Sequence, residues 1–509
     1  MSRTSVIAKN TLALYLRMGV SMLIGFWASR IVLDKLGIDD FGIYSVVGGV
    51  VVLFAFLNSA LTGATQRFLN FELGKKDFER VRKVFSTSLI IHAAIAGTVL
   101  VLAETVGLWF LNAQLNIPAE RMAAANWAYQ FSVAGTLVGI VRAPFNAAVV
   151  AYERMSFLAW LSIGECLAKF GILFLLDVGG ADKLVFYSAL IFGVIFSAAG
   201  TNVAYCFRAF GETTRFAFPR DRGLFGELLS FSAWNLISGV ATLASTQGVN
   251  MVVNIFCGVA VNAAMGVATQ VNSAVYQFVS NFQTAFSPQI TKSYAENDRE
   301  YFLALIFGAS KISYYMMLVL ALPVWMNAEF ALSLWLVDVP AHTVAFVRLT
   351  IIFALIDALN GPLWMSIGAT GDIRRYALCV SSLNLLNLPL AYFALRAGMP
   401  PESVLAIRIA TNLTMMASRL VILRRAVALP VRKFLKTVCV PAALVTLISF
   451  PAPWFLARGL GNAWASAAAS SGLAVSAVCL SAWFFGFGVS ERRLVAEYAG
   501  KFLKKIKRT

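Results

Sequence analysis

The stretch RAPFNAAVVAYERMSFLAWLSIGECLAK, from Arg142 to Lys169, decides the fold class of this 509-residue chain. It has the pattern of the end of one membrane-spanning helix, a short turn that carries Arg154, and the first half of the next helix. An arginine, a glutamate and a lysine nevertheless lie where lipid-facing residues are expected. A charge near the bilayer centre costs at least about 2.5–3.5 kcal/mol on insertion scales, so these side chains should face something other than lipid.

Apolar runs separated by short turns recur along the whole chain. It is 59% hydrophobic and only 13% charged, whereas soluble proteins carry about 25% charged residues. Each run of about 20 residues is long enough to cross about 30 Å of hydrocarbon. We therefore predict an all-α polytopic membrane protein with about fourteen transmembrane helices and no large soluble domain. The predicted spans are 11–33, 43–65, 84–111, 123–150, 157–177, 184–207, 229–256, 260–285, 304–327, 344–366, 377–396, 403–423, 438–457 and 463–487.

The net charge of +17 follows this predicted topology. Of the 42 lysines and arginines, twenty-nine fall on the side of the N-terminus, five on the opposite side, and eight within or beside the spans. Cytoplasmic loops carry such an excess, so both termini should be cytoplasmic. Because the basic residues lie in loops between spans, we expect a lipid bilayer as partner and no nucleic acid.

A weak internal repeat divides the predicted spans. Asp77 follows Gly37 by forty positions, as Asp298 follows Gly258, and both segments run through a loop, a span and a polar segment. The polar segments, Gln66–Phe85 and Pro288–Phe302, have the composition of short interfacial helices. Same-sense repeats imply an axis along the membrane normal and a central cavity between lobes. The predicted parts are a six-span lobe at 1–212, a second six-span lobe at 213–429, and two extra spans with a basic tail at 430–509.

Eleven charged residues remain within or near the spans. Eight are basic and three are acidic, so an anion, a water-filled cavity or snorkelling to the interface must accommodate the excess. For the four that lie near span ends, snorkelling is the favoured interpretation. For Arg17 and Lys311, about two turns in from the cytoplasmic face, cavity lining and snorkelling are weighted equally. The basic residues are Arg17, Arg30, Arg142, Lys169, Lys311, Arg348, Arg408 and Arg419, the acidic ones are Glu104, Glu165 and Asp357, and the four near span ends are Arg30, Glu104, Arg408 and Arg419.

Three of these positions have a distinctive sequence context. Arg142 precedes Pro144 by two residues, which favours either a hinge or a static kink. Glu165 and Lys169 are one helical turn apart, so they either neutralise each other or contact a substrate. Asp357 has no basic neighbour in sequence and needs a partner from another span, a proton or a cation. Glu165 and Asp357 are therefore the hypothetical coupling residues for a proton or sodium ion.

Neutral amides mark the seventh and eighth predicted spans. Asn250 and Asn254 share one helical face. An amide both donates and accepts hydrogen bonds, so this face suits a hydroxyl-rich ligand or serves as a contact between helices. Catalytic motifs are missing from the sequence, so no catalytic residue, metal or cofactor is expected. This disfavours a membrane glycosyltransferase, polymerase or acyltransferase.

Taken together in order and spacing, a set of short motifs over about residues 10–425 resembles the bacterial polysaccharide and O-antigen flippases. That family is a branch of the superfamily that includes the MATE multidrug exporters. The motifs are SRIVL at 29–33, LG at 36–37, DFGIY at 40–44, GATQRF at 63–68, RAPFNA at 142–147, AYERM at 151–155, Gly258, NA at 262–263, NFQTAFSPQITKSY at 281–294, GPLW at 361–364, ATGDI at 369–373 and Tyr376.

The resemblance implies two six-helix MATE-like lobes, usually extended to fourteen spans, and alternating access around a cationic cavity. It implies a polyprenyl-pyrophosphate-linked oligosaccharide as substrate, used for cell-surface polysaccharide or lipopolysaccharide synthesis. It also implies a bacterial inner membrane location and polysaccharide polymerases as candidate partners. Arg17 and Arg142 match positions where such flippases often carry arginine, whereas Lys169 and Lys311 are candidates only from their depth in the spans. The first span has no carboxylate before Asp34, which disfavours the runner-up, a cation-coupled multidrug or small-molecule exporter.

Overall fold

The structure is a computed structural model of the chain. It describes residues 10–21, 24, 31–32, 35–36, 40, 43–44, 61–113, 117–176, 182–218, 221–336, 339–459, 463–488 and 492. Within these residues every regular element is a helix, and the helices form two compact units, Met1–Leu236 and Ile237–Thr509. The protein is an all-helical, multi-pass membrane protein. The three-part division at residues 212 and 429 stays a prediction.

Eleven helices of the described residues are long and apolar enough to cross a membrane. Together with the helix at 259–295 they are numbered here in chain order. They are α1 Phe78–Ala113, α2 Ala119–Ala151, α3 Met155–Leu175, α4 Lys183–Ala209, α5 Arg222–Gly258, α6 259–295, α7 Arg299–Met326, α8 Thr343–Thr370, α9 Arg374–Arg396, α10 Glu402–Val427, α11 Val431–Ala457 and α12 Ala463–Gly486.

The eleven helices coincide with eleven of the predicted spans. The predicted span 260–285 falls in α6, which is helical but is not one of the eleven. The predicted spans 11–33 and 43–65 lie largely outside the described residues, although 10–21 and 61–75 are helical. The count of fourteen therefore stays a prediction.

Two tight turns replace the predicted interfacial helices. The helix at 61–75 ends at Lys76, which has a positive φ of 60°, and Asp77 then caps α1 by accepting the backbone N–H of Arg80 at 2.9 Å. In the second unit Asn297 has a φ of 57°, and Asp298 caps α7 by accepting the N–H of Tyr301 at 3.1 Å. A short polar side chain at a helix N-terminus satisfies an otherwise unpaired N–H. Neither Gln66–Phe85 nor Pro288–Phe302 is therefore one continuous helix, which corrects that part of the prediction.

These two turns share their backbone hydrogen bonds as well. The N–H of Asp77 bonds to the carbonyl of Glu72 at 3.2 Å, and the N–H of Asp298 bonds to that of Ser293 at 3.0 Å. Both pairs are separated by five residues, and the two turns lie 221 positions apart in the sequence. The same local structure at equivalent positions supports the internal repeat.

A single glycine bends the chain between α5 and α6. The two helices form one helical run, Arg222–Ala295, which is interrupted at Gly258 with φ 81° and ψ 179°. That combination is essentially restricted to glycine, because a Cβ would collide with the neighbouring backbone. The sequence position of Gly258 therefore fixes where α5 ends.

In the first unit, polar contacts join α2 to α4 and to α1. Asn202 donates to the amide oxygen of Asn146 at 2.6 Å, and the Tyr129 hydroxyl donates to the carbonyl of Ala103 at 2.8 Å. Ala103 opens a π-helical turn, Ala103–Gly107, within α1. Such turns leave carbonyl groups available to side chains. These contacts fix α2, which carries Arg142 one turn before Asn146.

In the second unit, α8 packs against α7 and α10, and the two C-terminal helices pack against α7. The buried face of α8 includes Phe346, Ile351 and Ala358. Tyr314 of α7 shares a 2.7 Å hydrogen bond with Thr446 of α11. Asn327, just after α7, donates to Ser470 of α12 at 3.0 Å. The helices α11 and α12 are thus part of the second unit's packing.

Substitution of Gly258 tests the bend. Gly258→Ala should lower the free energy of unfolding by about 1–3 kcal/mol, because alanine is strained at this φ and ψ. Gly266→Ala, in the regular part of α6, should instead be neutral or raise it by up to about 1 kcal/mol. Apart from the adjacent backbone, an added Cβ would meet no atom within 4 Å at either position, so backbone conformation alone separates the two variants. Thermal unfolding of the detergent-purified protein measures both. Equal midpoints would contradict the glycine-specific bend.

Candidate functional site

Three charged side chains of the stretch from Arg142 to Lys169 meet in the first unit. Arg142 Nη1 lies 3.4 Å from Glu165 Oε2, and Lys169 Nζ donates to Glu165 Oε1 at 2.9 Å. The Arg142 and Glu165 side chains are only 14% and 19% exposed. Helix α2 continues unbroken through Pro144 and sets Arg142 directly against α3. These three residues, the Glu165 cluster, hold two cations around one carboxylate.

One hydrogen-bond donor of Arg142 is unused within this cluster. Its Nε is buried and has no hydrogen-bond partner among the described residues. Glu165 is already bonded to Lys169, so the pairing of Glu165 with Lys169 that the sequence indicated is present. Its contact with Arg142 was not indicated, because α2 and α3 were predicted without their relative height. The cluster therefore combines a closed ion pair with an arginine that can donate further.

Arg17, the other arginine matched by the resemblance, lies on the helical segment 10–21 and is half-buried. Asn10, two turns earlier on that segment, donates to the carbonyl of Glu153 at 3.0 Å. Glu153 is in the turn between α2 and α3 and has a positive φ of 59°. This contact fixes the start of the segment against the first unit.

Lys311 of α7 is buried and donates to the carbonyl of Gly486 at 3.5 Å. Gly486 ends a π-helical turn, Ala482–Gly486, at the end of α12. Tyr315, one turn further along α7, packs edge-on against Phe487 at 5.4 Å between ring centroids. Lys311 therefore engages the last helix of the chain, and its predicted role in substrate binding stays a prediction.

The two predicted amides lie on one face of α5. Asn250 and Asn254 are half-buried, and Asn250 donates to Gln247 at 3.2 Å. Of the three residues between them, Met251 is exposed, whereas Val252 and Val253 are buried. The amides therefore lie at the edge of the buried face of α5, and contact with a ligand or with another helix stays a prediction.

Asp357 of α8 finds its partners on two other helices of the second unit. Its carboxylate is hydrogen-bonded to the Tyr276 hydroxyl of α6 and to the Asn412 amide of α10. Asn412 is also held by Asn360, which donates to it at 3.0 Å. Two arginines of α10, Arg408 and Arg419, act on the carboxylate by charge. We call these residues the Asp357 cluster; their list is Tyr276, Asp357, Asn360, Arg408, Asn412 and Arg419.

The structure corrects the snorkelling interpretation for Arg408 and Arg419. The Arg408 guanidinium lies 4.5 Å from the centroid of the Phe353 ring, and Arg419 donates from Nη2 to the Tyr376 hydroxyl at 3.3 Å. Both side chains turn toward α8 and α9 instead of extending to the interface. Glu104 likewise accepts a hydrogen bond from Gln130 at 3.1 Å inside the first unit, so its carboxylate has a protein partner. Arg30 lies outside the described residues.

A further amide side chain joins α6 to α8. Gln283 of α6 donates to the carbonyl of Ala358 at 3.0 Å. A Cβ at Gly361 would overlap the Gln283 amide, so the glycine of the Gly361–Pro362 break creates the space for it. Sequence analysis missed Tyr276 and Asn412. The available signal was the four-residue spacing of Arg408 and Asn412, which places both on one face of α10.

No protein-family model matches the chain. An uncharacterized membrane protein, EpsK of Bacillus subtilis (strain 168), is 22% identical over 327 residues, which are 62% of this chain and 63% of EpsK. The chain therefore matches less than two thirds of the length of that relative.

Comparison of the structure identifies the fold. An outward-facing multidrug resistance MATE family transporter of the MOP superfamily superposes with a TM-score of 0.73 at 13% identity, over 84% of this chain and 96% of that one. A MATE structure in the straight conformation gives a TM-score of 0.71 at 14% identity, covering 84% and 97%. A MOP superfamily transporter from Pyrococcus furiosus, described as having a binding pocket of reverse polarity that suggests a different function, gives 0.70 at 12% identity, covering 84% and 96%. The chain therefore has a MATE-like fold.

Proposed function

We propose that this protein moves a polyprenyl-pyrophosphate-linked oligosaccharide from the cytoplasmic to the periplasmic leaflet by alternating access. The MATE-like fold supports a membrane transporter. The sequence motifs support the flippase branch, and the basic loops support cytoplasmic termini. The product would serve the synthesis of cell-surface polysaccharide or lipopolysaccharide, with polysaccharide polymerases as candidate partners.

The observation that carries the substrate class is the charge balance of the Glu165 cluster. Two cations share one carboxylate inside the membrane-spanning helices, and Arg142 retains a buried donor without a partner among the described residues. Arginine and phosphate form charge-assisted hydrogen bonds, which are about twice as strong as neutral ones. In this proposal Arg142 and Arg17 bind the pyrophosphate, with Lys169 and Lys311 as further cationic groups.

The rest of the substrate follows from its chemistry. The half-buried amides of Asn250 and Asn254 both donate and accept, so they suit the hydroxyl groups of the sugars. The polyprenyl chain stays in the lipid, because it has no polar group that needs hydration. Motion of the two six-span repeats exposes the sugar and pyrophosphate to each side in turn.

Energy coupling is assigned to Asp357, with Glu165 as the alternative. Glu165 is bonded to Lys169 at 2.9 Å, which makes it an ion-pair partner in the described state. Asp357 instead receives hydrogen bonds from neutral groups, and two arginines face it. The charge of these arginines opposes both ions, but a proton needs only one carboxylate oxygen, whereas a sodium ion also needs several oxygen ligands. We therefore favour proton over sodium coupling.

The second candidate function is a cation-coupled multidrug or small-molecule exporter. The observation that favours it is the likeness to a transporter described as a multidrug resistance MATE protein. A cationic drug would meet the excess positive charge of the Glu165 cluster, which disfavours this substrate class on electrostatic grounds. Uptake of cationic dyes by inverted vesicles separates the two functions.

Removal of Arg142 or Arg17 tests the proposed substrate contact. Arg142→Ala and Arg17→Ala should each lower the rate of flipping at least about tenfold, because each removes a charge-assisted hydrogen bond to pyrophosphate. Flipping of lipid-linked oligosaccharide in proteoliposomes measures the rate. Lys169 continues to pair with Glu165 in the Arg142 variant, so folding should persist. Arg375→Ala, on the exposed surface, is the matched control. Wild-type rates in both test variants would refute the cationic contact.

A neutral residue at position 357 tests coupling. If Asp357 carries the proton, Asp357→Asn should abolish the response of flipping to an imposed pH gradient while downhill flipping continues. Tyr276→Phe, which removes one hydrogen bond but keeps the carboxylate, should retain a response. The measurement compares flipping in proteoliposomes with and without the gradient. An unchanged response in Asp357→Asn would exclude this residue as the coupling group.

A further inference from the structure

Arg419 is a buried arginine whose donors are only partly used. The residue is 8% exposed, and its Nη2 donates to the Tyr376 hydroxyl at 3.3 Å. Its Nε and Nη1 are buried and have no hydrogen-bond partner among the described residues. A buried charged donor without a partner is strongly unfavourable, so its presence inside a membrane helix calls for an acceptor that enters the site.

The immediate surroundings of Arg419 are aromatic. Tyr376 of α9 stacks against Trp364 of α8, with ring centroids 5.2 Å apart and planes inclined by 26°. The Arg419 guanidinium lies 5.8 Å from the centroid of the Tyr376 ring. The aromatic pair orients the guanidinium without neutralising it, because a ring face stabilises a cation but accepts few of its hydrogen bonds. Three helices of the second unit, α8, α9 and α10, therefore build this place.

The carboxylate of Asp357 does not accept hydrogen bonds from Nε and Nη1 of Arg419. Asp357 acts on Arg419 by charge, but its hydrogen bonds go to Tyr276 and Asn412. Arg408 of the same helix faces the same carboxylate. Two guanidinium groups thus share one acid, and the acid is held by neutral partners. The Asp357 cluster therefore has a positive excess together with open donors.

We propose that Arg419, supported by the Tyr376–Trp364 pair, binds a phosphoryl oxyanion inside the second unit, with Asp357 as the internal counter-ion that this anion displaces. The open donors are on two different nitrogens of the guanidinium. A phosphoryl group offers several acceptor oxygens and matches such a spread of donors. This site goes beyond the proposed function, which assigns pyrophosphate to Arg142 and Arg17 of the first unit. The same chemistry is supplied by a lipid-linked pyrophosphate and by free inorganic pyrophosphate.

The test uses the full-length protein in nanodiscs and two probes, inorganic pyrophosphate and farnesyl pyrophosphate, titrated by calorimetry. Arg419→Met should weaken binding at least about tenfold, because it removes the charged donors and keeps most of the volume. Asp357→Asn should tighten binding about tenfold, because it removes the competing negative charge. A gain of affinity cannot arise from misfolding, so this variant keeps the test decisive. Arg375→Ala, one residue from Tyr376 and exposed, should bind like the wild type.

The two probes separate the sources of the phosphoryl group. Arg419-dependent binding of farnesyl pyrophosphate alone supports the site with a lipid-linked ligand, and equal binding of both probes supports it with a free anion. The proposal is overturned if neither probe binds saturably, if Arg419→Met binds as tightly as the wild type, or if Asp357→Asn weakens binding. Loss of flipping in Arg142→Ala with unchanged pyrophosphate binding in Arg419→Met would reject this site and leave the proposed function standing. Loss of binding in Arg419→Met together with normal flipping in Arg17→Ala and Arg142→Ala would support the Arg419 site and reject the proposed function.

Discussion

A charge inside the hydrocarbon layer must be paired, hydrogen-bonded or hydrated, and this constraint organises the polar interior of the protein. Glu165 is bonded by Lys169 and approached by Arg142. Asp357 is held by Tyr276 and Asn412, from two other helices. Lys169 is on the same helix as Glu165, but Arg142 and both partners of Asp357 come from other helices, so these contacts specify which helix faces must meet. Apolar packing alone would allow these helices to rotate about their axes.

The backbone shows a second organising principle, duplication. The turn at Lys76–Asp77 and the turn at Asn297–Asp298 each have a left-handed residue, an aspartate cap directly after it and the same hydrogen-bond pattern. A left-handed residue followed by a cap redirects the chain sharply and starts the next helix at a fixed position. Equivalent turns 221 positions apart are the local counterpart of the internal repeat.

The sequence predicted what depends on local composition and missed what depends on helix rotation. Runs of apolar residues located eleven membrane helices, because length and hydropathy are properties of each segment alone. The same approach assigned Arg408 and Arg419 to the interface from their distance to a span end. That distance does not tell which way a side chain turns around the helix axis, and Phe353 and Tyr376 decide this from other helices. Likewise, the Arg142–Glu165 contact depends on the relative height of α2 and α3, which no single segment encodes.

Both units place two cations around one intramembrane carboxylate, but they distribute the hydrogen bonds differently. In the first unit Glu165 accepts a hydrogen bond from the cation Lys169 at 2.9 Å, so an adjacent positive charge directly balances its negative charge. In the second unit Asp357 is hydrogen-bonded to neutral groups, and two nitrogens of Arg419 have no hydrogen-bond partner among the described residues. In the first unit the direct ion pair occupies Lys169, and Arg142 is the cation that keeps a buried donor for an incoming anion. A carboxylate that acts only through space can be displaced or protonated while its neighbours stay in place, and this makes the second unit the more responsive of the two electrostatically.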